Sequence, residues 1–454
     1  MLNAIRDTWA ILLGVAFMML GNGLQGSALG LRADLAGLDT FVTGIVMTGY
    51  FMGYFIGSLT TPNLLAKVGH VRVFAAFASL ASVANLLFPI YTDPVFWFFA
   101  RVITGISFSA LYIVVESWLN ESSTNENRGQ ILSIYMILSY GGLSLSQLLL
   151  NVGPVEDYIL FVIMSVLVSL ALVPTSLTAT RVPNFEAPSP VSIVRLWRIS
   201  PLGLTASLNS GLSISAILGV GAVYANQVGM KTSDVALFIL LMNMGGLVFQ
   251  YPIGKLSDTM DRRQVTVVLF FASAILAFAC HKLASADATL WFLGAAFVFG
   301  GTALPIYSLS IAHTNDHLDS SEIVNATAAL IKVNAVGTIL GPLLVSGAMS
   351  YLGTEAYFPF MITIMLLTGV FGLYRMTRRA AVPLEDQGDF VAVPAKGTAM
   401  VATLTPEAEE WLEEQEASVS VSDSEILTDA EELLDDGPAL FEEETDDNKP
   451  DKDF

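Results

Sequence analysis

Twelve mostly apolar stretches, separated by short polar segments, fill the first 380 residues. They are residues 9–31, 41–66, 72–91, 96–119, 130–152, 158–178, 201–227, 235–256, 264–283, 288–312, 323–349 and 356–377. A helix rises about 1.5 Å per residue, so roughly 20 apolar residues cross the ~30 Å hydrocarbon layer of a bilayer. The pattern therefore predicts an all-α integral membrane fold of twelve transmembrane helices. The first stretch is too long for a signal-peptide core and no small-residue cleavage site follows it, so it reads as a span.

The spans fall into two sets of six. The longest internal linker, about 179–200, holds Pro183, Pro188 and Pro190. Tyr54-Phe55-Ile56-Gly57-Ser58-Leu59 ends span two, and Tyr251-Pro252-Ile253-Gly254-Lys255-Leu256 ends span eight. Both read Y-x-I-G-x-L at equivalent places, as expected of parallel six-span repeats. The predicted organisation is a bundle over 1–180, a cytoplasmic linker over 181–200, a second bundle over 201–379 and a tail over 380–454. The stretches 73–90, 158–177, 265–279 and 358–373 of spans three, six, nine and twelve hold no charged residue, and these spans should face lipid. Polar side chains concentrate in the others, where an interior or water-lined face would hold them.

Composition agrees. Charged residues are 14% of the chain and hydrophobic ones 54%, whereas soluble domains carry about 25% charged residues. The net charge of −20 resides in the tail: residues 1–379 hold 18 basic and 18 acidic residues, and 380–454 hold 3 and 23. No basic cluster suits nucleic acid. The single cysteine, Cys280, excludes a disulfide within the chain, and the four histidines show no metal-ligand spacing. No metal or cofactor is expected.

With the N-terminus inside, the inner segments hold thirteen Lys and Arg and the outer loops three, Arg32, Lys231 and Lys282. That asymmetry places both termini in the cytoplasm. The tail reads as largely disordered, with short helices possible at 406–417 and from Ser422. It is either an idle solvated segment or a docking segment for a cytoplasmic partner.

Gly254-Lys255-Leu256-Ser257-Asp258-Thr259-Met260-Asp261-Arg262-Arg263 resembles the G-x-L-x-D-x-x-G-R-R/K signature of the major facilitator superfamily, with aspartate at the usual glycine. Arg101-Val102-Ile103-Thr104-Gly105 is similar to that superfamily's R-x-x-x-G motif. The run Glu116-Ser117-Trp118-Leu119-Asn120, with Asn127-Arg128-Gly129, looks like its poorly characterised bacterial branch typified by YcaD. Two features depart from the family pattern. The loop after span two has no aspartate, and Gly337-Thr338-Ile339-Leu340-Gly341-Pro342 lies in span eleven instead of span five.

The resemblance implies a secondary transporter of the inner membrane that works by alternating access, as a monomer, with ion coupling, here to protons. Asp258, Arg262 and Arg263 would form a gating loop that ties the halves together on the inside. Gly337 and Gly341, one turn apart, and Pro342 would set close helix packing or a kink. Charges deep in spans are functional candidates because burying them is costly. Arg101 and Lys332 are the two embedded cations and come from opposite halves. With Asn22, Gln25, Asn209, Tyr307 and Asn334 they would line a cavity for an anionic, zwitterionic or acceptor-rich small solute. Glu116 would relay a proton or cap a charge pair near the inner end of span four. Asp34, just outside span one, is a second relay candidate and is expected to be solvated. The alternative is a membrane-embedded sensor or enzyme on the same helices. No P-loop, carboxylate pair or nucleophile–histidine pair supports the enzyme.

Overall fold

The computed structural model describes residues 2–405 except 125–126, 178–190, 286–287 and 395. The possible helices at 406–417 and from Ser422 lie outside the described residues. Helices α1 (Leu2–Leu35), α2 (Thr40–Val68), α3 (His70–Leu87), α4 (Pro94–Glu121), α5 (Arg128–Leu145) and α6 (Ile159–Leu177) form the first bundle. A short α7 (Ile193–Ile199) precedes α8 (Pro201–Gln227), α9 (Thr232–Thr259), α10 (Arg262–Ser285), α11 (Thr289–Ala303), α12 (Ile306–Asn315), α13 (Ser320–Leu352) and α14 (Tyr357–Met376). Twelve helical segments are long and apolar enough to cross a membrane, α11 and α12 together making one. Each overlaps one of the predicted stretches.

Local chemistry sets the helix ends. Asp93 accepts from the Phe96 N–H at 2.8 Å with Pro94 in the first turn, and Ser200 with Pro201 repeats the device at α8. Pro305 separates α11 from α12 because it cannot donate to the preceding turn. Pro252 and Pro342 remain inside unbroken helices.

The bundles are built alike. A Cβ at Gly53 would lie 2.1 Å from the Val102 carbonyl oxygen, and one at Gly105 2.0 Å from that of Tyr50, so α2 and α4 meet backbone to backbone. Gly245 and Gly300 do the same for α9 and α11, at 1.9 Å from Phe297 and 2.0 Å from Met242. The α3, α6, α10 and α14 segments are 33–44% buried, against 61–83% for spans one, four, seven and ten. They present Val83, Val173, Ile275 and Leu367 outward, as lipid-facing helices should. Near the two ends of α4, Trp97 and Trp118 are buried, the former donating to the Phe88 carbonyl.

The bundles touch at the end of the molecule opposite the termini. There a Cβ at Gly44 would lie 1.8 Å from Ser346 Oγ and 2.8 Å from the Pro342 carbonyl oxygen, which locks α2 on α13. A Cβ at Gly26 would lie as close to the Leu218 carbonyl oxygen, at 2.8 Å, so α1 is locked on α8. At the termini end a 650 Å³ cavity opens between α5 and α9.

Candidate functional site: a central cavity and the strap within it

Residues 382–405 leave the end of α14 and turn back into the space between the bundles. This strap departs from the expectation of a tail disordered from residue 380. Its outward limb follows the second bundle. Arg262 donates to the Gly388 carbonyl at 2.7 Å, and Asp258 accepts from the Phe390 N–H at 2.9 Å. Phe390 lies over Gly254, where a Cβ would meet its ring at 2.2 Å. Ser308 accepts from the Val393 N–H at 3.0 Å and returns a bond to its carbonyl at 3.2 Å. The chain then turns at Pro394–Lys396, and Tyr54 of the first bundle donates to the Lys396 carbonyl.

The return limb follows the first bundle. Glu116 accepts from both the N–H and the hydroxyl of Thr398, and from Tyr135 at 2.8 Å. Residues Ala399–Leu404 form a 3-10 turn in which Met400, Val401 and Leu404 are buried, against α4 and α13. The sequence does contain a signal for the strap. No acidic residue occurs between Asp389 and Glu407, a stretch that reads Phe390-Val391-Ala392-Val393 and onward, in a tail holding 23 acids.

The strap's tip reaches the deep polar array. Arg101 is buried, donates to Gln25 Oε1 at 2.6 Å and lies 4.7 Å from the Tyr50 ring centroid. Gln25 passes the network to Asn85 at 2.6 Å. Asn22 donates to the Tyr112 hydroxyl at 3.4 Å. The Lys396 ammonium sits 5.4 Å from the same Tyr50 ring. Burial, and then the nearby Arg101 charge, lower the Lys396 pKa to about 7. A residual cavity is lined by Tyr112, Ser139, Tyr140, Asn243 and Lys396. Ser139 Oγ and Asn243 Oδ1 are buried there without a hydrogen-bond partner.

The structure thus brings Arg101, Gln25 and Asn22 together and places Glu116 fifteen residues along α4, about 22 Å away at helical rise. Tyr307 is buried in the same cluster as Val401 and Leu404. Other candidates lie elsewhere. Asn209 donates to the Ile364 carbonyl and Thr368 hydroxyl of α14, and Asn334 to the Ser207 carbonyl of α8. Both are spent on packing inside the second bundle. Lys332 has no ion pair or hydrogen bond among the described residues. Val336, Leu340 and Leu344, further along the helix, are exposed, and Ala328 and Ala329, one turn before Lys332, are buried, so Lys332 sits where a buried face of α13 gives way to an exposed one. Position along a helix gave its depth but not its direction.

Three expectations for charged groups change. Glu116 caps no cation; its partners are hydrogen-bond donors, one of them from the strap. Asp34 is not solvated: it accepts from Asn226 at 2.5 Å and Gln227 at 2.7 Å, a latch between α1 and α8 at the closed end. The loop charges do not join the halves. Arg262 pairs with Asp258 at 2.9 Å and Asp316 at 2.5 Å, and Arg263 with Asp261 at 2.8 Å, all within the second bundle. The bundles are parted at that end, so the network grips the strap instead. Burial pushes the Asp316 carboxyl up to about 6 against the pull of Arg262. Gly337 and Gly341 seat α13 on α8: Cβ atoms there would lie 2.3 Å from the Leu208 and 2.5 Å from the Leu212 carbonyl oxygens.

The sequence missed the tyrosines. Tyr50 and Tyr54 lie one turn apart on α2, as do Tyr112 and Glu116 on α4, so shared helical faces would have disclosed them.

Known proteins agree with this architecture. The chain is 25% identical over 382 residues to an uncharacterised MFS-type transporter, YcaD, of Escherichia fergusonii, covering 84% of this chain and 98% of that one. An uncharacterised MFS-type transporter of Enterobacter sp. strain 638 is 27% identical over 342 residues, 74% of this chain and 87% of that one. The fold matches that of the nucleoside transporter NupG, with a TM-score of 0.65 and 12% identity over 82% of this chain and 100% of that one. It also matches a bacterial homologue of the human lysosomal transporter Spinster, solved inward-facing and occupied, with a TM-score of 0.66 and 14% identity over 84% and 97%. The profile of the Major Facilitator Superfamily covers residues 11–332, and the chain belongs to that superfamily.

Proposed function

We propose that the protein is a secondary transporter that moves a small polar solute across the bacterial inner membrane by alternating access. Both termini are cytoplasmic on the charge count, so the structure is inward-facing. The observation that carries this reading is the asymmetry of the two ends. The bundles meet through glycines and the Asp34 latch at the periplasmic end, while α5 and α9 part around a 650 Å³ cavity at the other. Rocking of one bundle against the other would reverse it.

The solute site is the array of Asn22, Gln25, Tyr50, Arg101 and Tyr112. One cation already bonded to Gln25, among amides and phenols, suits a neutral or zwitterionic solute rich in hydroxyl or carbonyl groups. Glu116, with no cation partner, is the residue we assign to proton coupling, and the proton gradient to the driving force. The second bundle contributes Asn243 and Tyr307. The protein works as a monomer and performs no chemistry on its solute.

Counterflow in proteoliposomes against a panel of nucleosides, pentoses and amino acids tests this. A transported solute should exchange, with KM raised about tenfold in Asn22→Ala, the scale of one lost hydrogen bond. Glu116→Gln should keep counterflow and lose uphill accumulation. Chemical conversion of a panel member, or no exchange by folded protein with any of them, would overturn the reading in favour of an enzyme or sensor.

A further inference from the structure

The strap bonds to both bundles at once, and the groups it occupies are those a cytoplasmic solute would meet first. Its outward limb is held by Asp258, Arg262 and Ser308 of the second bundle. Its return limb is held by Tyr54 and Glu116 of the first. The Lys396 side chain ends at the Tyr50 ring, eighteen residues before the inner end of α2 at Val68. That is about 27 Å of helix from the cytoplasmic mouth. A segment at this depth fills the passage. A segment bonded to both walls also acts as a wedge, because the inner ends of α5 and α9 cannot approach while Phe390–Ala392 line the gap between them.

We infer that residues 388–405 are a built-in competitor for the solute: docked, they occlude the inward cavity and hold the inward-facing state, and transport requires their departure. The inference rests on the transporter reading and deepens it. When the strap leaves, Glu116 loses three hydrogen bonds, and Tyr54 and Ser308 lose their peptide partners. A competing solute at the Arg101 array would replace the tip of the strap, so it should offer an acceptor to Tyr54. Regulation follows the same logic. Whatever binds the acidic remainder of the tail in the cytoplasm pulls on the segment that closes the site.

The test uses the full chain with Cys280→Ala and one reporter cysteine. Ser139→Cys lies beneath Pro394 and Lys396, and Val71→Cys, exposed at the start of α3, is the control. Inside-out membrane vesicles are treated with an impermeant maleimide. Val401→Asp with Leu404→Asp places two carboxylates in buried strap positions and should eject it. Labelling at Ser139→Cys should then rise at least tenfold while the Val71→Cys rate stays constant. Thr398→Val, which keeps the shape and removes one bond to Glu116, should raise labelling up to about tenfold. It decides the matter if the double variant fails to elute as a monodisperse protein. Counterflow should rise in parallel. Unchanged labelling in folded Thr398→Val and in the folded double variant would overturn the inference. Faster labelling without exchange of any panel solute would leave the strap established and sink the transport reading instead.

Discussion

The two ends of the bundle pair close in different ways. At the end opposite the termini, which we propose is periplasmic, the closure is made by the helices themselves: Gly44 on Ser346, Gly26 on Leu218, and the Asp34 carboxylate on two amides of α8. At the proposed cytoplasmic end the helices stand apart and a strap from outside the twelve spans fills the gap. Backbone-to-backbone closure can open only by moving whole helices. A strap held, among the described residues, by nine hydrogen bonds to the bundles, most of them worth ~0.5–1.5 kcal/mol net, can leave on its own. One end is therefore a property of the fold, and the other is an equilibrium placed upon it.

The largest expected effect breaks the first closure. Gly44→Leu should force α2 off α13, because the new side chain meets the Pro342 carbonyl at 2.8 Å as well as Ser346. Overpacking of this kind costs about 3 kcal/mol or more. Thr48→Cys, buried at that end, should become reactive from the periplasm. Gly254→Leu is the counterpart at the other end, where the obstacle is the Phe390 ring of the strap. It should displace the strap and leave Thr48→Cys protected. Equal outcomes for the two substitutions would abolish the distinction between the ends.

Arg262→Ala comes next. The Arg262 and Asp316 side chains are 1% and 3% exposed, and removing one partner of a buried ion pair costs about 3–5 kcal/mol. Thermal stability should fall, and Asp316→Asn added to Arg262→Ala should restore part of it. Arg262→Lys should not rescue strap docking. A single ammonium cannot span Asp258, Asp316 and the Gly388 carbonyl as the guanidinium fork does. Full stability of Arg262→Ala would mean that the grip is ornamental.

These contrasts show why one end was legible from sequence and the other was not. Span positions follow from hydropathy, and the depth of Arg101 and Glu116 follows from counting residues along a helix. Direction around the helix does not follow from counting. Asn209 and Asn334 looked like cavity groups but satisfy carbonyls inside their own bundle. Asp34 looked like a loop residue but is a latch, because its partners Asn226 and Gln227 are 192 and 193 residues away. The strap was hidden by averaging: the acidity of 380–454 as a whole masked the acid-free, apolar stretch from Phe390 onward.

A smaller effect concerns pH. Free in water the Lys396 amine has its ordinary value of 10.5, and docked it is lowered to about 7 by burial first and Arg101 second. Tyr50 and Tyr54 of α2, Arg101, Tyr112 and Glu116 of α4 and Tyr140 of α5 are other titratable groups facing the tip. Because the docked state disfavours the charged amine, docking is unpenalised above the free value. It weakens as pH falls between the two values and levels off below the docked one. The slope is at most about tenfold per pH unit. Raising the cytoplasmic-side pH from 7 to 9 should therefore slow labelling of Ser139→Cys relative to the control cysteine, whose rate carries the rise in thiolate, and Lys396→Met should remove the relative change. A slope of opposite sign would mean that another group governs docking.

The smallest expected effect belongs to a cation that neither end employs. Lys332 lies deep in span eleven by residue count, which is why it stood beside Arg101 as a reason to expect an anionic solute. It sits where the buried face of Ala328 and Ala329 gives way to one holding Val336, Leu340 and Leu344, which are 43%, 40% and 49% exposed. No ion pair or hydrogen bond of Lys332 is seen among the described residues, and the cation that holds the polar array is Arg101. Lys332→Ala should thus change stability by no more than about 0.5 kcal/mol and leave counterflow intact. Arg101→Ala should abolish exchange, since it strips the donor from Gln25 and the cation from Tyr50. If Lys332→Ala instead eliminates transport with the fold preserved, its ammonium reaches the cavity in some state of the cycle. The site would then hold two cations, and the neutral or zwitterionic solute proposed above would give way to an anion.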